Sequence, residues 1–328
     1  MSHQKNISLS EKSYYKTGGM CNDFFLPNNT EQLKEYLKYI KQNNLNLFIL
    51  GAGSNSLISD LPWTGAVICL EELNKIRREG SNIICGAGVS NSELAKFALQ
   101  EGLEGCSWLY GLPGFLGGTA RMNARCYGGE ISQVADEIIC FSMNGEKQHH
   151  KDEVAQQKCF KGYKDTIFMN NKIIIAELVL KLKNGNKENI QNKMNACFED
   201  RKSKGQFDLP SCGCVFKNNY TVGVPSGMLI DLCGLRGKSL GGAAIHDKHC
   251  NFIVNQDKAS SKDILELSFY IREKVWEEFG VWLEYEMEVL GALTPSLQEK
   301  LDEKRNHVFK KTKIEDAREK FLQKKSKT

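Results

Sequence analysis

The sequence predicts an α+β protein with more than one packed unit. The chain has 328 residues, 41% of them hydrophobic, which is too much for one small core and enough for two or three. Strand-like and helix-like runs come in mixed order, without the regular alternation of a doubly wound sheet. No internal repeat is present.

The elements follow in order. Thr30 is placed to cap a helix running to about Asn43, with Leu33, Tyr36, Leu37 and Ile40 on one face. Asn46–Leu50, Ala66–Leu70 and Asn82–Gly86 read as strands. Ser90 and Glu93 have capping-box spacing at the start of a helix through Leu94, Phe97 and Ala98, which Gly102 can close. Strand Glu137–Met143 turns at Asn144-Gly145, a strong hairpin signal. Ile173–Leu182 is a further strand. Lys187–Arg201 is amphipathic through Ile190, Met194 and Cys197, and a domain boundary is expected near it. A short helix near Met228–Cys233 is stopped by Gly234, and Asn251–Asn255 is a strand. A helix over Lys262–Phe279 is capped by Ser260 and ended by Gly280. Val281–Leu290 is expected as the last strand.

Charge and cysteine usage exclude some classes. The net charge is +4, but residues 297–328 carry 11 Lys/Arg against 6 Asp/Glu, so the body is at −1. A nearly neutral body has no footprint for nucleic acid, and the tail reads as a solvated charged end. No apolar run approaches a membrane span, and the N-terminal Met1–Lys5 is polar, so a cytoplasmic location is expected. In that setting the 12 cysteines read as reduced thiols, mostly small buried residues such as Cys69, Cys85 and Cys140.

Two glycine-dense loops stand out. Gly51-Ala52-Gly53-Ser54-Asn55-Ser56 follows an apolar strand, and Gly111-Leu112-Pro113-Gly114-Phe115-Leu116-Gly117-Gly118 runs into Thr119 and Asn123. Glycines let a backbone approach a pyrophosphate, and successive N–H groups can cradle its oxygens. The first loop is not the dinucleotide fingerprint that opens a helix, because strand-like Leu57-Ile58-Ser59 follows it. Two such loops favour a large phosphate-bearing cofactor over two unrelated turns.

These loops resemble the FAD-binding loops of the UDP-N-acetylenolpyruvoylglucosamine reductases. The likeness continues through Met122-Asn123-Ala124, Tyr127-Gly128, Gly162-Tyr163, Ser211-Cys212-Gly213, Phe216-Lys217-Asn218, Gly241-Gly242-Ala243, Lys248-His249, Asn251–Asn255 and Leu283-Glu284-Tyr285-Glu286. The motifs stand in family order from about Tyr15 to Gly291. The lack of a long insertion before the Lys187 helix resembles the shorter subtype.

The resemblance implies an FAD-binding PCMH-type domain of two α+β subdomains over residues 1–185. It further implies a C-terminal α+β substrate-binding domain over 186–292, with a charged basic tail over 293–328. It implies FAD as cofactor, NADPH as co-substrate, and reduction of the enolpyruvyl ether of UDP-N-acetylglucosamine to UDP-N-acetylmuramate, a peptidoglycan precursor. No nucleic acid, membrane insertion or metal is expected. Gly51, Ala52, Gly53, Ser54, Asn55, Ser56, Gly111, Pro113, Gly114, Gly117, Gly118, Thr119 and Asn123 are the implied cofactor-binding residues.

Three catalytic positions are carried over. Lys164, after Tyr163, stands where the family has an Arg beside the developing enolate, and it keeps the charge without the bidentate fork. Cys214 stands at the proton donor, a Ser in most members, and a thiol releases its proton more readily than an alcohol. Glu286 is the implied catalytic carboxylate. Glu284 and Glu286 would share a face if their segment is a strand. Tyr163, Gly213, Lys217, Asn218 and His249 are the implied substrate-binding residues, with Lys217 and Asn218 toward the diphosphate and uridine. Arg125 and Cys126 replace small residues, and Glu288 stands where the family commonly has Arg. These departures leave room for a catalytically weakened flavin or UDP-sugar binding protein. Cys212, Cys214, His246, His249 and Cys250 allow a further reading as a zinc site.

Overall fold

The computed structural model describes residues 3–170 and 173–325. It divides into two compact units. The first takes in residues 3–7, 21–52 and 64–203, and the second 8–20, 53–63 and 204–325.

The first unit contains two α+β halves. Strands β1 (His3–Ser8) and β2 (Met20–Phe25) are followed by α1 (Thr30–Gln42) and β3 (Leu47–Leu50). After β4 (Ser56–Ile58), which belongs to the second unit, β5 (Trp63–Cys69) completes a sheet of order β1-β2-β5-β3. Helix α1 buries Leu33, Tyr36, Leu37 and Ile40 in a core shared with Phe25, Ala66 and Ile68. Its cap is Asn29 and not Thr30. Asn29 has the extended backbone a cap needs, and its side chain accepts from the Gln32 N–H, which makes Thr30 the first helical residue.

The second half is built on β6 (Ile76–Glu79), β7 (Asn82–Gly86), α2 (Asn91–Gln100), α3 (Leu116–Arg121), β8 (Ala135–Phe141) and β9 (Lys147–His150). The turn β10 (Phe160–Gly162) to β11 (Asp165–Thr166), then β12 (Ile174–Lys181) and α4 (Lys187–Ser203), complete it. Its sheet runs β9-β8-β12-β7-β6, all antiparallel. Ser90 caps α2 through the Glu93 N–H. The buried face of α4 is Ile190, Met194, Cys197 and Arg201.

The second unit holds α5 (Ser226–Leu232) and a sheet of β13 (Ser239–Leu240), β14 (Ala243–Ile245) and β15 (Ile253–Asn255). Helix α6 (Ser261–Phe279) opens on a full capping box between Ser260 and Asp263 and closes on left-handed Gly280. The expected strand over 281–290 is shorter: only β16 (Glu288–Leu290) forms, parallel to β4. Upstream of it the backbone makes single bonds to the loop after Ser211, so the argument that Glu284 and Glu286 share a strand face does not hold.

The tail is not a solvated end. Helices α7 (Pro295–Asp302) and α8 (Lys311–Lys325) are joined by a strap that lies on the unit. Ile314 and Ala317 are buried in its core with Val222, Leu265 and Val275. Buried Arg272 donates to the carbonyls of Lys300 and Glu303 and stacks 4.0 Å from the Trp282 ring centre. Arg305 covers the same ring at 4.3 Å and pairs with Glu273. Among the described residues, no helix is long and apolar enough to cross a membrane. Among the described residues no cysteine forms a disulfide, and nine of the thiols are buried.

Candidate functional site

The first glycine loop is shaped by contacts on one side and open on the other. Gly53 has φ +68°, and a Cβ there would lie 2.4 Å from the Lys12 carbonyl oxygen, so no side chain fits. A Cβ at Gly51 would meet nothing within 4 Å. Asn55 donates its side-chain N–H to the Glu286 carbonyl, and its own carbonyl accepts from the Glu288 N–H. The sequence treats Asn55 as a cofactor donor, and in the structure it also ties the loop to the 286–288 segment.

The second loop is pinned from beneath. Gly114 accepts from the Asn91 N–H, while the N–H groups of Leu116 and Gly117 bond to Val89 and Ala87. Gly117 sits so close to Ala87 that an added Cβ would be 2.7 Å from its methyl, whereas Gly118 faces open space. Thr119 is buried and donates its hydroxyl to Asn91 at 2.8 Å, so it holds the loop. Asn123 is buried at φ +45°. Its amide donates to Glu130 and to the Gly162 carbonyl, and its side-chain oxygen accepts from the Ser132 N–H. Asn123 therefore couples this loop to the β10–β11 turn.

That turn carries Tyr163 and Lys164. Lys164 is buried and has φ +54°, a left-handed conformation that L side chains resist by about 1–2 kcal/mol. Thr166 anchors the turn by donating to the Arg121 carbonyl. The Arg125 guanidinium lies 4.4 Å from the Tyr163 ring centre and the Lys164 ammonium 5.9 Å from it, so two cations flank one ring. The neighbouring Arg201 went unnoticed in the sequence. It donates to the Trp108 carbonyl at 3.0 Å and the Cys126 thiol at 3.1 Å, and stacks 4.7 Å from the Tyr127 ring centre. Its signal was available, since position 201 continues the 190, 194, 197 spacing of the buried face of α4.

In the second unit, Cys214 and Glu286 lie on adjoining segments. The Val215 carbonyl accepts from the N–H groups of Glu286 and Met287, and Lys217 N–H bonds to the Glu284 carbonyl. Asn251 clamps the first of these segments: its side-chain oxygen accepts from Phe216 N–H, and its amide donates to the Phe216 carbonyl. Gly213, at φ +79°, opens onto space where a Cβ would touch nothing. Cys214 is half-buried, while its neighbour Cys212 is buried and its thiol is pushed up to about 12 by burial, which leaves it unreactive. Asn218 spends its side-chain oxygen on the Ser226 N–H at the start of α5, and Ser226 Oγ donates to the Lys217 carbonyl. His249 packs its ring 4.4 Å from that of Phe252, and burial pushes its pKa down to about 4. Lys164 belongs to the first unit; Cys214, Glu286, Lys217, Asn218 and His249 belong to the second.

Comparison with known proteins supplies the family. Residues 23–144 match the FAD binding domain model, and residues 205–290 match the model of the UDP-N-acetylenolpyruvoylglucosamine reductase C-terminal domain. The reductase of Borrelia garinii subsp. bavariensis is 37% identical over 288 residues, covering 87% of this chain and 92% of that protein. The chain belongs to the UDP-N-acetylenolpyruvoylglucosamine reductase family. The family protein of Listeria innocua is also 37% identical, over 286 residues covering 87% of this chain and 94% of its own. The crystal structure of the reductase from Thermus caldophilus superposes with a TM-score of 0.72 at 31% identity, covering 86% of this chain and 97% of that one.

FAD is the cofactor of this reductase family, and Gly51 and the second glycine loop, both in the first unit, fit it. At Gly118, as at Gly51, the backbone is bare where a Cβ would fill open space, which is what close approach of a diphosphate requires. The zinc reading finds no support in the side-chain arrangement. Among the described residues no group of three or more His, Cys, Asp or Glu side chains could hold a metal ion. Two of the residues it names have other contacts: Cys250 Sγ lies 3.7 Å from Asp231, and His246 Nδ1 accepts from the Lys248 N–H.

Proposed function

We propose that this chain reduces the enolpyruvyl ether of UDP-N-acetylglucosamine to UDP-N-acetylmuramate at the expense of NADPH, in peptidoglycan precursor synthesis. The observation that carries this reading is family likeness over both halves of the chain, 37% identity across 87% of its length. A cytoplasmic location is part of the proposal, supported by the use of NADPH and a nucleotide sugar. The domain limits 1–185, 186–292 and 293–328 are kept as proposed divisions of the sequence.

When bound, FAD would supply the redox chemistry, the transfer of hydride between NADPH and the enolpyruvyl carbon. Gly51–Ser56, Gly111, Pro113, Gly114, Gly117, Gly118, Thr119 and Asn123 would hold it, Thr119 and Asn123 also keeping the second loop in shape. The residues of the chain manage charge and the proton. Lys164 faces the substrate carboxylate and steadies the negative charge that develops there; the cations flanking Tyr163 support an anion-binding role. Cys214 delivers the proton that completes the reduction, and Glu286 assists as the neighbouring carboxylate. Tyr163, Gly213, Lys217, Asn218 and His249 bind the nucleotide sugar. For Asn218 this is in addition to its hold on α5.

The test separates the two halves of the reaction. Cys214→Ala is expected to reduce bound flavin with NADPH at the parent rate, yet to turn over the enol ether at least about 100-fold more slowly. Cys214→Ser retains activity, because a hydroxyl also donates. Equal slowing of both halves in Cys214→Ala would make the thiol structural and remove its role as donor.

A further inference from the structure

The strap and helices after Gly291 lie beyond the matched family domain, which ends at residue 290. They nonetheless touch the loop that carries Lys217 and Asn218. That loop is stitched mainly to itself. Asn219 Oδ1 accepts from the N–H and hydroxyl of Thr221, Val222 N–H bonds to the Asn219 carbonyl, and Gly223 N–H bonds to the Tyr220 carbonyl. Asn218 and Ser226 close its far end. Local turns of this kind order the loop, and Asn219 Nδ2 also lies 3.3 Å from His307 Nε2 of the strap.

Arg318 of α8 adds two side-chain hydrogen bonds to the loop's main chain. Its Nε donates to the Val222 carbonyl at 2.7 Å and its Nη2 to the Thr221 carbonyl at 3.1 Å. The two carbonyls are consecutive, so the planar fork of a guanidinium spans them where a single ammonium could reach one at a time. The loop is shaped to admit the fork. Gly223 has φ +71°, and a Cβ on it would stand 3.1 Å from Arg318 Nε. Val222 and Val224, on either side, are buried in the same core as Ile314 and Ala317 of α8. Residues 314, 317 and 318 thus form one helix face, two apolar and one forked, seated on the back of the loop.

Helix α8 is itself held. Val308 N–H bonds to the Gly280 carbonyl and Lys310 N–H to the Phe279 carbonyl, while Lys313 pairs with Glu278 at 2.7 Å. The brace therefore runs from α6 through the strap to the Lys217 loop.

We propose that Arg318 is a positioning residue for substrate binding, and that the C-terminal segment braces the Lys217–Pro225 loop in the shape that receives the uridine diphosphate end of the substrate. The inference rests on the reading of Lys217 and Asn218 as uridine diphosphate ligands. Arg318 touches neither substrate nor cofactor in this account. Its effect is on affinity, with hydride and proton transfer left intact.

The test uses the full-length, FAD-loaded protein. UDP binding is measured by calorimetry, with KM and kcat for the enol ether, the rate of flavin reduction by NADPH, and the thermal midpoint. Arg318→Ala is expected to weaken UDP binding and raise KM about tenfold, through loss of two charge-assisted hydrogen bonds that shape the loop. Flavin content, kcat and flavin reduction stay near the parent values. Arg318→Lys recovers part of the affinity through one carbonyl. Lys217→Ala, run alongside, should weaken UDP binding at least as much. If Lys217→Ala weakens binding and Arg318→Ala does not, the brace is refuted while the loop reading stands. If Lys217→Ala is silent, the loop reading fails and the brace falls with it. A lowered thermal midpoint in Arg318→Ala with unchanged UDP affinity would make Arg318 merely structural and also overturn the inference.

Discussion

Gly280→Ala is the sharpest probe of whether the C-terminal strap is part of the folded unit. Gly280 ends α6 at φ +67°, and Gly234 follows α5 at φ +70°. An alanine at either position bears the left-handed backbone cost, about 1–2 kcal/mol. The surroundings differ. At Gly234 an added Cβ meets nothing within 4 Å. At Gly280 it would lie 1.7 Å from the Val308 carbonyl oxygen and 2.5 Å from its carbon, and backbone on both sides cannot yield that much. The strap must lift, and the hydrogen bonds Val308 N–H to Gly280 and Lys310 N–H to Phe279 go with it. At about 1 kcal/mol each, these bring the expected loss for Gly280→Ala to about 3–4 kcal/mol, against about 1–2 for Gly234→Ala. Urea denaturation followed by tryptophan fluorescence reads the difference, because Trp282 donates its indole N–H to the Glu303 carbonyl of the strap. Equal losses in the two variants would mean that the strap does not rest on Gly280, and the reasoning would fail.

Two further outcomes follow from the site. Lys164→Arg should preserve or raise turnover, since it restores a forked donor, whereas Lys164→Met should lower it by about 100-fold, as loss of a charge-stabilising donor does; steady-state kinetics with the enol ether decides, and a fully active Lys164→Met would remove the assigned role. His249 should make the protein acid-sensitive. Its folded pKa is pushed down to about 4, while the unfolded chain protonates near 6.5, so the unfolded state binds more protons between these values. Stability is therefore full above about pH 6.5 and falls as pH drops toward 4, by up to about 3 kcal/mol. Urea midpoints measured across that range should show the decline in the parent and a shallower one in His249→Gln; identical slopes would place the acid sensitivity elsewhere.

The features legible in the sequence are those fixed by neighbours along the chain. Ser260, Asp263 and Gly280 delimit α6 because capping and a left-handed stop are local events. Asn82–Gly86 was readable as a strand from its apolar run, and the glycine loops from their composition. The choice between Asn29 and Thr30 was not, since both are good caps and the extended backbone at Asn29 decides. The 281–290 segment looks like one strand, but its N–H groups find scattered partners such as the Val215 carbonyl, which no pattern announces. The hold of Thr119 and Asn123 on the second loop is not legible, because their partners, Asn91, Glu130 and the Gly162 carbonyl, are brought in by the fold. The tail misled most. Ile314, Ala317 and Arg318 are few among many charges, and their anchors are main-chain carbonyls that carry no residue signature.

The central claim is that the chain is an NADPH-driven flavoenzyme for the enol ether. The direct measurement is NADPH oxidation by the purified, FAD-containing protein, with and without the enolpyruvyl ether of UDP-N-acetylglucosamine, alongside quantitation of UDP-N-acetylmuramate. The account predicts sustained oxidation that requires the enol ether and yields one UDP-N-acetylmuramate per NADPH. Oxidation indifferent to the enol ether, or a protein that binds FAD and UDP-sugar without forming that product, would contradict it.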